Sequence, residues 1–179
     1  MIIKIETSLN NHKCFSKTRG FSLMEMLIYL AILGLMLGVI INITISVVNS
    51  ERLLRASRSV ENSASIALER IEREVRRANS IDINASVFGL SPGTLVLETT
   101  DAFGNPKTIE FYISLDTIRL KENSVDSGAL TGADVKVTNL VFSHFSGVNS
   151  EGVRIEMTIE SGEGSFHRSE KFYSSAILR

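Results

Sequence analysis

Three hydrophobic patterns succeed one another along the chain. From Phe21 to Ile41 the residues are apolar or small apart from the Tyr29 hydroxyl (FSLMEMLIYLAILGLMLGVII), with Glu25 the one charge among them. That run is about the 20 residues a helix needs to cross a bilayer core. Past Ile41 polarity enters at Asn42, Thr44, Ser46, Asn49 and Ser50, while Leu53, Val60, Ala64, Ala67, Ile71, Val75 and Ala78 fall on one helical stripe. No proline interrupts Phe21 to Ala78, so nothing forces a kink. At 1.5 Å per residue the two patterns predict one continuous helix roughly 80–90 Å long, ending at Asn79-Ser80.

After the punctuation of Ser91-Pro92-Gly93 the period changes from 3.6 to 2. Leu95 and Leu97, then Ile109, Phe111 and Ile113, then Ile118 and Leu120 alternate with polar or outward positions. Val153, Ile155, Met157 and Ile159 alternate with Arg154, Glu156, Thr158 and Glu160, the signature of a half-buried strand. Asp101–Pro106 (DAFGNP) and Ser161–Ser165 (SGEGS) read as hairpin connections. Val135, Val137, Leu140, Phe142 and Phe145 fit one strand only if the alternation slips near Thr138-Asn139, which predicts a bulge. Phe166–Arg179 supplies a last strand with Phe172, Ala176 and Leu178. Five or six antiparallel strands with one apolar face need a cover, and the stripe Val60, Ala64, Ala67, Ile71 and Val75 provides it. The fold class expected is α+β, a helix packed on an antiparallel sheet.

Glu25 is the anomaly in this pattern. A charge at bilayer depth costs roughly 2.5–3.5 kcal/mol on insertion scales, so such a residue is functional by default and has a partner. The alternative is that Glu25, near the helix start, reaches the headgroups at little cost. The leader before it is basic, with Lys4, Lys13, Lys17 and Arg19 against Glu6.

The order of these features resembles the class III signal of type IV prepilins and type II secretion pseudopilins: a short basic leader, Gly20, the aromatic Phe21, Glu25, and an unbroken apolar helix. The resemblance covers about the first third of the chain. It implies cleavage by a membrane-embedded prepilin peptidase between Gly20 and Phe21, methylation of the new N-terminus at Phe21 by the same enzyme, and Glu25 as fifth residue of the mature protein. Gly20 leaves no side chain to obstruct a protease at the membrane surface. Cleavage frees an α-amine, cationic when solvated, and a buried ammonium and carboxylate are tolerable only as a pair. Residues four apart on a helix are neighbours, so the amine could meet its own Glu25; by analogy with the family it is expected to meet the Glu25 of an adjacent subunit.

The same resemblance implies the lollipop form of type IV pilins. Its parts are a leader over 1–20, a transmembrane helical half over 21–48, an amphipathic half over 49–80 and a β domain over 81–179. Gly34 and Gly38 form a small-xxx-small pair suited to close helix approach. Many major pilins carry a proline where this chain has Asn42, which points to a minor pilin or pseudopilin, and the run Leu68–Ala78 is similar to the end of the long helix in J-type pseudopilins. Expected partners are the peptidase, other pilin or pseudopilin subunits through the N-terminal helix, and the inner-membrane assembly platform. The expected location is the cytoplasmic membrane, N-terminus cytoplasmic and β domain outside, and then a filament. The orientation follows from the resemblance, because Arg52, Arg55 and Arg58 after the span nearly offset the basic leader.

Composition narrows the choice further. Removing the leader takes the formal charge from -1 to -4, which argues against nucleic-acid binding, whose footprint is basic. Cys14, the only cysteine, lies in the leader, so the mature fold must rest on core burial without a disulfide. His12 lies in the leader, and His144 and His167 have no cysteine partners. No nucleophile elbow, phosphate loop or zinc spacing is present, so neither an enzyme nor a cofactor is expected. Asp126 and Asp134 flank a Gly-rich stretch (DSGALTGAD), read as a plain solvent loop because calcium needs about six to eight oxygens. The competing reading is an uncleaved, single-pass, membrane-anchored binding domain.

Overall fold

The apolar run and the amphipathic stripe join without a break in one helix, α1 (Leu23–Arg77, 55 residues). The computed structural model describes residues 20–147 and 150–179; the leader up to Arg19, with His12 and Cys14, lies outside them. The chain divides into two units within α1, between Thr44 and Ile45.

In the first unit, the large apolar side chains from Leu23 to Ile43 are exposed along the whole helix. Lipid or other helices must cover such a surface, because a contiguous apolar patch of this length is not tolerated in water. The two polar residues at its end bond to the helix itself: Asn42 Nδ2 donates to the Gly38 carbonyl and Thr44 Oγ1 to the Ile40 carbonyl, each at 2.9 Å. Back-bonding of this kind satisfies polar groups that would otherwise be costly in hydrocarbon.

The second unit is built on the rest of α1. Val60, Ala64, Ala67, Ile71 and Val75 are completely buried, as the stripe predicts. Leu53 is not part of it: its side chain is 44% exposed, and Ala56 is the first buried position. The buried cluster is shared by helix and strands.

The strands divide into two antiparallel sheets where the sequence suggested one. The first follows chain order: β1 (Ser80–Ile81), β2 (Leu95–Thr100), β3 (Pro106–Ser114), β4 (Thr117–Glu122) and β5 (Val125–Ala129). The second consists of β6 (Val135–Ser146), β7 (Glu151–Ser161) and β8 (Arg168–Ile177), with a short 3-10 helix, Gly164–Phe166, before β8. Leu95, Leu97, Ile109, Phe111, Ile118 and Leu120 from the first sheet and Leu140, Phe142, Val153, Ile155, Met157 and Ile159 from the second meet the helical stripe in one core.

The predicted slip occurs where the alternation required it. Val137 pairs with Ile159 and Asn139 with Thr158, so Thr138 is the extra residue of a bulge. The bulge lies beside a link between the sheets, where the Val137 N–H donates to the Asp116 carbonyl at 2.8 Å. Loop residues Gly89 and Gly93 donate to the carbonyls of Phe142 and Leu140, both at 2.8 Å, so the free edge of β6 is covered.

Turns set the sheet order. Leu115-Asp116 and Asn123-Ser124 join β3–β4 and β4–β5 as two-residue loops with positive φ at both positions (53°, 58° and 50°, 67°), the geometry of type I′ hairpins. The second of these corrects the solvent-loop reading of 126–134 in its first part, since Asp126–Ala129 belong to edge strand β5, while 130–134 form the connection to β6. That strand (VDSGA) has no apolar alternation because neither of its faces reaches the core. At the β7 end, Gly162 has φ +82°, and a Cβ there would lie 2.2 Å from the Phe166 carbonyl oxygen and 3.4 Å from the Ala56 Cβ. Only glycine allows the chain to turn this close to α1.

The run Leu68–Ala78 serves two purposes. Arg76 pairs with Glu72 at 2.8 Å on its solvated face, as intrahelical pairing predicts. Glu74, however, is buried (6% exposed) and held by Arg70 at 3.0 Å, and Arg70 in turn reaches Glu122 of β4 at 3.6 Å. A buried carboxylate needs such a partner.

Candidate functional site at the start of the helix

Glu25 lies in the first turn of α1, where the exposed N–H groups and the helix dipole favour an acid. The Ser22 carbonyl starts the helix by accepting the N–H groups of Glu25 at 2.9 Å and Met26 at 3.2 Å. The Tyr29 hydroxyl, one turn further on, donates to Glu25 Oε1 at 2.9 Å. The Phe21 ring meets the Tyr29 ring edge-on, centroids 6.4 Å apart and planes at 73°, a favourable aromatic geometry. Glu25 is half-buried among exposed neighbours as a result.

The structure thus brings Phe21, Glu25 and Tyr29 together. Gly20 and Phe21 precede the helix in exposed backbone. Gly34 and Gly38 share a face further along α1 and take no part in the cluster; a Cβ at either would meet nothing within 4 Å. Tyr29 is the functional candidate that the apolar pattern hid, and its four-residue spacing from Glu25 was the available signal. Among the described residues Glu25 has no cationic partner within ion-pair distance.

The other polar candidates are engaged separately. Asp126 accepts Arg119 at 2.8 Å and the Tyr112 hydroxyl at 3.3 Å, whereas Asp134 accepts Ser59, so the two acids do not converge. His144 Nε2 lies 2.8 Å from Glu151 and its ring packs on Phe88; His167 lies 3.9 Å from Glu160. Among the described residues no three His, Cys, Asp or Glu side chains form a group that could hold a metal.

The β2–β3 loop carries the clearest electrostatic feature. Asp101 accepts the Asn105 side chain at 3.0 Å and the N–H groups of Asn105 and Phe103 at 2.8 Å each. These bonds, the Asn105 side chain first, hold its carboxyl below the usual carboxylate range. A depressed folded-state pKa stabilises the loop above the ordinary aspartate value and loses that contribution as pH falls through the lowered one. The Phe103 and Asn105 amide resonances are therefore expected to hold steady through the ordinary carboxylate range and to move only in stronger acid; movement at the ordinary value would contradict the cage.

Residues 15–41 match the family described as the prokaryotic N-terminal methylation motif. No curated protein and no solved structure matches the chain. The matched segment runs from the leader through Gly20, Phe21 and Glu25 and on to the end of the apolar run at Ile41, the residues on which the resemblance rested. The matched segment is the hallmark N-terminus of the type IV prepilin and pseudopilin family, and together with the long apolar helix it supports a type IV pilin-like protein anchored in a membrane.

Proposed function

We propose that this chain is a minor pilin or pseudopilin, a non-enzymatic structural subunit of a type IV pilus or type II secretion pseudopilus. In this reading the prepilin peptidase cuts after Gly20 and methylates Phe21. The product stays in the cytoplasmic membrane, N-terminus inside, until the inner-membrane platform draws it into a filament. One observation carries the proposal: between Phe21 and Val48 the only charged side chain is Glu25, on a helix whose large apolar side chains stand exposed among the described residues. Other helices bearing a free α-amine would satisfy both the apolar face and the acid, and a repeated head-to-tail contact that does not close builds a filament. Gly34 and Gly38, with open space above them, are where such helices would approach closely. The assignment as a minor rather than a major subunit is supported at Asn42, where the helix continues with its side chain folded back on Gly38.

Mass spectrometry of the protein recovered from membranes tests the proposal. The expected N-terminal residue is an N-methylated Phe21. An intact Met1 would favour the uncleaved, tethered binding domain instead.

A further inference from the structure

We propose that Tyr29 is the positioning residue for Glu25: its hydroxyl holds one carboxylate oxygen so that the other is presented to the incoming amine of a neighbouring subunit. This inference rests on the assembly reading above and adds a residue to it. Three observations converge. Tyr29 donates to Oε1 at 2.9 Å, while Oε2 accepts no hydrogen bond among the described residues. From Met26 to Ile41 the Tyr29 hydroxyl is the only side-chain hydrogen-bond donor of the classes that could serve a carboxylate in lipid. The Phe21 ring meets the phenol edge-on, centroids 6.4 Å apart, so the tyrosine ring has a packing partner within the same cluster.

The chemistry follows from the two-oxygen nature of a carboxylate, which accepts several hydrogen bonds at once. A fixed neutral donor on Oε1 offsets part of the cost of a lone charge at the membrane boundary, and it does not compete with a cation at Oε2. The amine then meets an acid already in the right rotamer, and less side-chain freedom is lost when subunits join. An aliphatic residue at 29 would leave both oxygens without this donor and the Glu25 side chain free to turn.

Tyr29→Phe keeps the ring and removes the hydroxyl. In full-length protein with isotopically labelled glutamate in lipid bilayers, the infrared difference between native and Tyr29→Phe chains should show a shifted carboxyl band. The shift should be missing when the comparison is repeated in a Glu25→Gln background. In cells, Tyr29→Phe is expected to lower incorporation into filaments about tenfold, with insertion and leader cleavage unchanged, and to add nothing to the defect of Glu25→Gln. Absence of the band shift, native incorporation by Tyr29→Phe, or an equal loss in both backgrounds would each overturn the positioning role. Native incorporation by Glu25→Gln would overturn the pairing reading instead, and the band shift would then stand as support for the Tyr29 bond alone.

Discussion

Glu25→Ala should enter the membrane at least as well as the native chain and yet fail to join filaments. Insertion should hold because the substitution removes the one charge from the span Phe21 to Val48, and a charge opposes partitioning into lipid. Assembly should fail because the amine at Phe21 of a neighbouring subunit would be left buried without its counter-charge. Breaking one side of a buried pair costs about 3–5 kcal/mol, so incorporation is expected to drop by roughly a hundredfold or more, each 1.4 kcal/mol being tenfold. The measurement is the ratio of chain in sheared filaments to chain in the membrane fraction. An unchanged ratio would remove the pairing hypothesis and leave the acid as an interfacial residue.

The second large effect is expected in the β domain. Phe142 on β6 is completely buried and belongs to the cluster that helix and both sheets share. Gly93 stands close over it: a Cβ there would lie 3.1 Å from Phe142 Cδ2, so the surroundings have little room to adjust. Phe142→Ala should cost about 3–5 kcal/mol, a large share of the roughly 5–15 kcal/mol that holds an ordinary domain together. No disulfide can compensate, since the only cysteine is Cys14. Denaturant melts of the full chain in detergent, followed through the β signal, should show the midpoint falling sharply. A loss below about 1 kcal/mol would mean that this ring is not central to the core. Leu53→Ala is the matched comparison: that side chain is 44% exposed, and its removal should barely shift the midpoint.

Much of this architecture was legible beforehand, for reasons that differ by element. The helical stripe from Val60 to Val75 could be read because each of its residues is apolar for one cause, burial against strands. The bulge at Thr138 could be read because a strand with one buried face cannot lose register without betraying it in the alternation. Edge strand β5 could not, because a strand with no face in the core has no alternation to show. The division into two sheets was equally hidden. It depends on loop 87–93 closing along β6 and on the Asp116 carbonyl meeting Val137, contacts between residues far apart in the chain that leave no local trace. At the candidate site, Gly20, Phe21 and Glu25 stood out by type and spacing, whereas the Tyr29 hydroxyl stood out only as an exception to the apolar run, with no partner assigned to it.

What the chain's one-dimensional order determined, then, was whatever a residue's own polarity and its near neighbours decide. That includes where a span of lipid-compatible length lies, that an acid sits inside it, which stripe of the helix seeks a sheet, and where strands begin. The tertiary structure alone decided which distant groups meet: Arg70 on Glu122 of β4, the Val137 N–H on the Asp116 carbonyl, two sheets sharing one core. The physical reason is that burial preference belongs to a residue, whereas a hydrogen bond or ion pair belongs to two, and only the folded chain sets the distance between them.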